Sequence, residues 1–403
     1  MAGTHDDAIT MAADLAELRH AIHREPEIGL DLPRTQAKVL AALDGLPLEI
    51  TPGRALSSVT AVLRGGRAGG GTVLLRGDMD ALPVTERTNV PYSSEHDGVM
   101  HACGHDLHTA MLAGAARLLS ARRAELAGNV IFMFQPGEEG CGGAERMIDE
   151  GVLDAAGERP VAAYGLHVVS SVLPAGVCAT RPGTMMAAAD SLDITVCGRG
   201  GHGSQPHHAA DPIPAACELV IALQTMVTRR FDAFDPVVIT VGMFQAGTAS
   251  NVIPDEARLQ ATVRTFSAAS RAAAREYALG LVRGITSAHG LSVRAEFVEG
   301  YPVTVNDTAE TAFAGQTVTG LFGGDRFLLA PNPLPGAEDF SYVLEQVPGA
   351  FVMLGACPPG ADPASAPFNH AADAVFDDAV LADGTALYAA LAMRRLAAAA
   401  PGP

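Results

Sequence analysis

Residues 100–108, "MHACGHDLH", bring three histidines, a cysteine and an aspartate into nine positions. Thiolate and imidazole are good ligands for Zn²⁺ and similar transition metals. In an extended segment alternate side chains share a face, which lets Cys103 and His105 reach one centre. Any one of these residues alone reads as a buried thiol or a capping histidine; the density of the cluster argues for metal. A second place is "IFMFQPGEEGCGG", residues 131–143, where an apolar run enters a turn and sets Glu138 beside Glu139. Taken alone it reads as a helix start, because acids favour a helix N-terminus and "GGAERMIDEGVL" follows. Asp78 and Asp80 in "RGDMDALP" and His167 in "GLHV" also end apolar strands. Ligand sites in α/β sheets lie beyond the carboxyl ends of strands, so these groups are expected to converge on one crevice, which His370 in "FNHAAD" can join. "GRGGHG" (198–203) matches G-x-G-x-x-G only formally. Pro206 delays any helix and no acid follows at the required distance, so the glycines read as a turn presenting His202.

The elements that must hold these residues alternate. "SVTAVLRG", "TVLLRGDMDAL", "NVIFMFQP" and "VAAYGLHV" read as strands, with "TAMLAGAARLLSARR" and "GAERMIDEGVL" as helices between them. Residues 11–43 read as helical, interrupted near Pro26, and "GGRAGGG" (65–71) reads as a loop. Such alternation implies an α/β sheet, mostly parallel and flanked by helices. The middle has another rhythm. "SLDITVCG", "DPIPAACELVIALQTMVTRR", "PVVITVGMF", "EARLQATVRTF", "ASRAAAREYALGLVRGITSAH" and "LSVRAEFVEG" run β-α-β-β-α-β, the ferredoxin-like order. The expected organisation is therefore an α/β domain, residues 1–183 and 301–403, with an α+β domain inserted at 184–300.

Composition narrows the classes. The 403 residues are 48% hydrophobic and 18% charged, which argues for well-packed domains and against disorder. A net charge of −18 disfavours nucleic acid and anionic membrane as partners. The acidic start, "MAGTHDDAITMAADLAELRH", has no apolar core of a secretory leader, and no apolar run is long enough to span a bilayer. Six scattered cysteines are not a disulfide framework, so a cytoplasmic location is expected.

With these residues assembled, the chain resembles the amidohydrolase branch of the aminoacylase/carboxypeptidase metallopeptidase family, which includes hippurate hydrolases, N-acyl-amino-acid amidohydrolases and indole-3-acetyl-amino-acid hydrolases. The matching stretches are "LRHAIHREPEIGL", "RGDMDALPV", "MHACGHDLHTAMLAGAA", "FQPGEEG", "GLHV", "GRGGHGSQPHHAADPI", "NVIPDEARLQATVRTF" and "GAEDFSYV". They cover nearly the whole chain in the family's order. The resemblance implies a di-metal catalytic domain with Cys103, His105, Glu139, His167 and His370 as ligands of two divalent ions per subunit. Mn²⁺ or Zn²⁺ leads, with Co²⁺ or Ni²⁺ as alternatives. It implies Glu138 as the base that takes a proton from the attacking water and hands it to the leaving amine. The inserted domain is implied to be a dimerisation (lid) domain that sends His202 into the partner's site to stabilise the oxyanion. Asn251 and Arg264 are implied to line the same cavity, Arg264 as a clamp for the α-carboxylate.

The chain departs from the wider family in places. Asp78-Met79-Asp80 stands where that family has His-x-Asp, which makes Asp80 an orienting group rather than a ligand. "NHAADAVFDD" lacks the usual proline and "ALSSVTAVL" the usual Thr-Gly, while Glu338 and Asp339 in "GAEDFSYV" are expected to abut the pocket. The implied activity is metal-dependent hydrolysis of N-acyl-amino acids, small-molecule substrates, to a carboxylic acid and a free amino acid. A dipeptidase or a deacetylase on the same scaffold is the nearest rival. A non-catalytic binding protein is the rival from another class, against which Glu138 argues.

Overall fold

The structure is a computed structural model that describes residues 3–67, 69 and 71–399, so positions 68 and 70 of the glycine-rich loop fall outside the described residues. The chain forms two compact units: 1–183, 305–331 and 342–403 make the first, 184–304 and 332–341 the second.

The first unit opens with helices α1 (Thr4–Thr10), α2 (Ala12–Arg24) and α3 (Pro33–Leu43). It continues with β1 (Leu48–Pro52), β2 (Val59–Arg64), β3 (Thr72–Asp78), α4 (His105–Ala121), β4 (Asn129–Gln135), α5 (Gly143–Asp149), β5 (Ala162–Val169) and β6 (Cys178–Thr180). The chain leaves this unit within β7 (Gly183–Met186). The second unit follows with β8 (Ala188–Cys197), β9 (Gly201–His202), α6 (Pro212–Arg230), β10 (Val237–Ala246), β11 (Val252–Ile253), β12 (Glu256–Thr265), α7 (Ala268–Ala288) and β13 (Ser292–Val298). Past β14 (Thr304–Asn306) come α8 (Thr308–Phe322), β15 (Phe327–Leu329), α9 (Ser341–Leu344), β16 (Gly349–Gly355) and α10 (Val380–Ala399).

The first unit is built on one sheet of order β1-β2-β4-β3-β5-β16-β6-β15. Its centre, β4-β3-β5-β16, is parallel, while β1, β2 and β4 pair antiparallel, as do β16 and β6. This is the mixed, mostly parallel α/β sheet that the alternation of strands and helices implies. β3 and β16 are buried at every residue, the pattern of central strands covered on both faces. From β3 the chain moves to β4 on one side, then crosses to β5 on the other. That reversal opens a crevice at the strands' carboxyl ends.

Helix α4 has almost no polar face: from His105 to Leu119 every residue except Arg117 is buried. Small residues let α10 approach it closely, and a Cβ at Gly384 would come within 1.9 Å of Met111 Sδ. No helix among the described residues is long and apolar enough to cross a membrane.

The second unit carries an antiparallel sheet of order β10-β12-β8-β13 with α6 and α7 packed on it, the ferredoxin-like arrangement read from the sequence. Along β8 buried and half-buried residues alternate strictly, as a sheet with one covered face requires. The short two-stranded ribbon of β9 and β11 is an addition to that order. Several elements left no trace in the sequence pattern. β6 ("CAT") and β15 ("FLL") are too short to alternate. α8 ("TAETAFAGQTVTGLF") is rich in poor helix formers, and is started by Asp307, whose carboxylate accepts from Ala309 N and Glu310 N.

Candidate metal centre

Six of the residues singled out above meet in the first unit. Cys103 precedes α4 and His105 begins it, Glu138 and Glu139 follow β4, His167 lies near the end of β5, and His370 sits between β16 and α10. Donor atoms of Cys103, His105 and His167 lie within 4.8 Å of one another, as do those of Cys103, Glu139 and His370 and those of His105, Glu138 and Glu139. Cys103 Sγ is 3.4 Å from His167 Nε2 and 3.2 Å from His370 Nε2, which is 3.1 Å from Glu139 Oε1.

Cys103 and His105 converge for a reason other than the extended geometry expected. Gly104 between them has φ +84 and is the N-cap of α4, so a left-handed residue and a helix start bring the two side chains together. A Cβ at Gly104 would stand 2.4 Å from Val168 Cγ2. The two glutamates do not start a helix either, since α5 begins at Gly143. Their backbone N–H groups donate to one carboxylate, Glu138 N to Asp80 Oδ1 (3.0 Å) and Glu139 N to Asp80 Oδ2 (2.9 Å). Asp80 Oδ1 also lies 3.4 Å from His105 Nδ1. One buried aspartate thus spans the turn of both glutamates and faces the His105 ring.

Protonation separates the histidines. His167 Nδ1 donates to the carbonyl of Val168 (2.8 Å), which leaves Nε2 as the bare nitrogen toward Cys103. Burial and the neighbouring His108 hold His167 well below the usual imidazole range, in the neutral form that a metal takes. His108 is occupied otherwise: Nε2 accepts from Val168 N (2.7 Å), so Nδ1 donates to Asp78 Oδ1 (2.5 Å). Asp78 Oδ2 accepts from Arg76 Nη1 (2.6 Å). His108 and Asp78 are therefore framework, although both belong to the chemistry-rich stretches. Among the described residues neither ring nitrogen of His105 has a hydrogen-bond partner, despite full burial. Its Nε2 is 3.6 Å from Asp78 Oδ2, and although burial opposes a charge there, Asp78 and Cys103 outweigh it and raise its pKa well above the usual value. His370 is pushed up to about 10 by Cys103 and Glu139, against burial. Burial works against a charged Glu139, but His370 and His105 hold its carboxyl below the usual range. The cluster draws positive charge to itself. With a cysteine sulfur, three imidazoles and a carboxylate around the two buried nitrogens of His105, the donor set fits divalent transition ions.

Sequence reasoning missed what holds this cluster from behind. In "LRHAIHREPEIGL", Arg19 Nε donates to Asp106 Oδ2 (2.9 Å) and Nη1 to Asp378 Oδ1 (2.5 Å), while His23 Nδ1 donates to Asp106 Oδ2 (2.8 Å). Asp106 follows His105, so an N-terminal motif grips the start of α4. Glu27 caps α3 through Thr35 N (2.8 Å), and its carbonyl accepts from Ala81 N (2.8 Å), next to Asp80. The motif was visible, whereas its partners Ala81, Asp106 and Asp378, 50 and more residues away, were not.

The other expected site residues lie in the second unit. His202 ends β9 opposite Val252, and Gly203 N donates to Asn251 O (2.8 Å), so His202 and Asn251 share one two-stranded ribbon. This ribbon leaves the sheet where Glu256 pairs Cys197. Arg264 lies eight residues further along β12, paired with Ala189, and donates to Val263 O (3.1 Å). At ~3.4 Å per residue that places it roughly 27 Å along the strand from Glu256, at the end of β12 away from the one that β11 leads into. Glu338 and Asp339 are buried, and Glu338 Oε1 accepts from Phe340 N (2.9 Å).

Comparison with known proteins bears on this arrangement. Residues 74–394 match Peptidase family M20/M25/M40. The thermostable carboxypeptidase 2 of Saccharolobus solfataricus is 38% identical over 345 residues, 85% of each chain. The hippurate hydrolase of Campylobacter jejuni is 35% identical over 393 residues, 97% of this chain and 98% of that one. The solved structure of the Bacillus subtilis YXEP protein, a dinuclear metal binding peptidase, superposes with a TM-score of 0.82 at 32% identity, covering 96% of this chain and 99% of that one. Metal-capable cluster, mixed α/β sheet and sequence likeness agree: the chain belongs to Peptidase family M20/M25/M40, in its amidohydrolase branch.

Proposed function

We propose that this protein hydrolyses the amide bond of N-acyl-amino acids, releasing a carboxylic acid and a free amino acid. The observation that carries the reading is Glu138: a second, buried carboxylate set beside the donor cluster by the same aspartate that sets Glu139. A site that only binds metal needs no such group.

Cys103, His105, Glu139, His167 and His370 would hold two divalent ions, Mn²⁺ or Zn²⁺ first and Co²⁺ or Ni²⁺ next. Bound there, such ions supply Lewis acidity that polarises a carbonyl and makes water more acidic. Glu138 takes the proton of the attacking water and delivers it to the departing amine. His202 donates to the oxygen that becomes anionic, an effect of ~3–4 kcal/mol for one donor in comparable sites. The separation of Arg264 from His202 and Asn251 along β12 supports a homodimer in which one chain supplies Arg264 to a site and its partner supplies His202 and Asn251. The second unit is thus read as the dimerisation and lid domain.

An apolar or aromatic acyl group is supported by two exposed side chains, Val172 (64%) and Phe368 (52%). Their loops run side by side, with Val172 N donating to Pro363 O (2.7 Å) and Ser170 Oγ to Pro367 O (2.8 Å). They follow His167 and precede His370. Likeness to a carboxypeptidase favours peptides as a second substrate class. The scattered spacing of the six cysteines, unlike a disulfide framework, supports a reducing, cytoplasmic setting.

The test is amine release from hippurate, N-acetyl-amino acids, indole-acetyl conjugates and dipeptides, by wild type and Glu138→Gln reconstituted with each metal. Metal-dependent release by wild type, lost in the variant while metal still binds, is expected. No release from any N-acyl-amino acid, with a folded protein and bound metal, would overturn the reading.

A further inference from the structure

Asn369 precedes His370 and its side chain is almost wholly buried. Its Nδ2 donates to the carbonyls of Cys103 (3.1 Å) and Val168 (3.0 Å), with Cys103 Sγ 3.9 Å away. Its Oδ1 accepts from Ser170 N (3.0 Å) and, at 3.1 Å, from the Ser170 hydroxyl, whose one proton is shared with the nearer Pro367 O (2.8 Å). An amide offers two donors and two acceptor sites, and all four are filled. The three segments tied together each contain a donor of the cluster or adjoin one: Cys103 itself, Val168 beside His167, and Asn369 beside His370.

His370 has φ +73, a conformation that a non-glycine residue keeps only when its surroundings over-determine it, at a cost of ~1–3 kcal/mol. Two restraints are visible: His370 N donates to Ala102 O (2.8 Å), and the side chain of the preceding residue is locked from four directions. Asp80, which serves His105, Glu138 and Glu139, touches none of this. The donors therefore fall into two sets, each held by one buried polar side chain.

We propose that Asn369 is a positioning residue that clasps the Cys103, His167 and His370 segments so that the Cys103 sulfur, common to both donor clusters, keeps its place between His167 and His370. The proposal rests on the metal reading above. It also explains the residue type: Asp would keep the shape and the bonds from Ser170 but would turn a carboxylate oxygen toward two carbonyl oxygens, whereas Ala would lose all four bonds.

The experiment strips metal from wild type, Asn369→Asp and Ser170→Ala, then titrates each with Co²⁺. It follows calorimetric stoichiometry and the thiolate-to-cobalt absorption band, with the melting temperature of the stripped protein as a fold control. Asn369→Asp should weaken the site that shows the thiolate band by ~10–100-fold. Ser170→Ala, which spares both amide donors, should weaken the same site by ~3–10-fold. Affinities and band unchanged within about twofold in a folded Asn369→Asp would overturn the proposal. Should that variant not fold, an unchanged Ser170→Ala would overturn it instead. Absence of Co²⁺ uptake by wild type would overturn the metal reading itself, and the proposal with it.

Discussion

Replacing His23 by Gln should remove a pH-dependent contribution to stability whose size follows from its surroundings. The ring is buried, with Nδ1 2.8 Å from Asp106 Oδ2 and Nε2 3.4 Å from Glu86 Oε1. Burial alone would strip its proton, and Arg19 also opposes the charge, but Asp106 and Glu86 outweigh both and hold the pKa up to about 9. Against an unfolded value near 6.5 the gap is about 2.5 pH units, worth about 3 kcal/mol at 1.36 kcal/mol per unit. Because the folded pKa is the higher one, the contribution is complete below about pH 6.5 and fades as the pH rises through about 9. The wild type should thus lose about 3 kcal/mol between about pH 6 and pH 10 that the His23→Gln variant never had. Urea unfolding of both metal-free proteins across that range, read as the difference between them, cancels the other titrating groups. A difference constant to within about 0.5 kcal/mol would refute the reasoning and mean that Arg19 alone neutralises Asp106.

Asp80→Ala should leave the Glu138 and Glu139 N–H groups without their acceptor and lower metal affinity by ~10–100-fold, read by metal titration of the stripped protein; wild-type affinity would speak against its orienting role. Gly104→Ala forces a side chain into φ +84 and against Val168 Cγ2 at 2.4 Å. A loss of ~2–4 kcal/mol in denaturant unfolding is expected, and a loss below ~1 kcal/mol would mean that the turn relaxes freely.

Glu139, His167 and His370 entered the donor set, and Glu138 its role, through the family resemblance, but Cys103 and His105 were legible from the density of their cluster. Their geometry was not. Cys103 and His105 were expected on an extended segment, yet a left-handed glycine at a helix start joins them, a device that needs only one residue and leaves no periodicity. The puzzle of adjacent Glu138 and Glu139 is resolved by Asp80, 58 residues before Glu138, and no local pattern could carry that link. Asn369 passed unnoticed beside a histidine that drew attention, because a lone Asn before His370 reads as an ordinary loop residue. Long, strongly patterned elements such as β3, α4 and α7 could be read directly, whereas three-residue strands could not.

The order in which these parts leave a ribosome follows from the same topology. Cys103, His105, Glu139 and His167 are all synthesised early, but His370 follows His167 by 370 − 167 = 203 residues. At 5–20 residues per second, roughly 10–40 s pass with four donors made and the fifth missing. β16, the strand that pairs with β5, and Asp378, which receives Arg19, are also late. A nascent chain therefore presents an open thiol and two histidines without the clasp that unites them. A chain that ends before residue 369 lacks Asn369, His370 and Asp378, and with them the ties to Cys103, Val168 and Arg19.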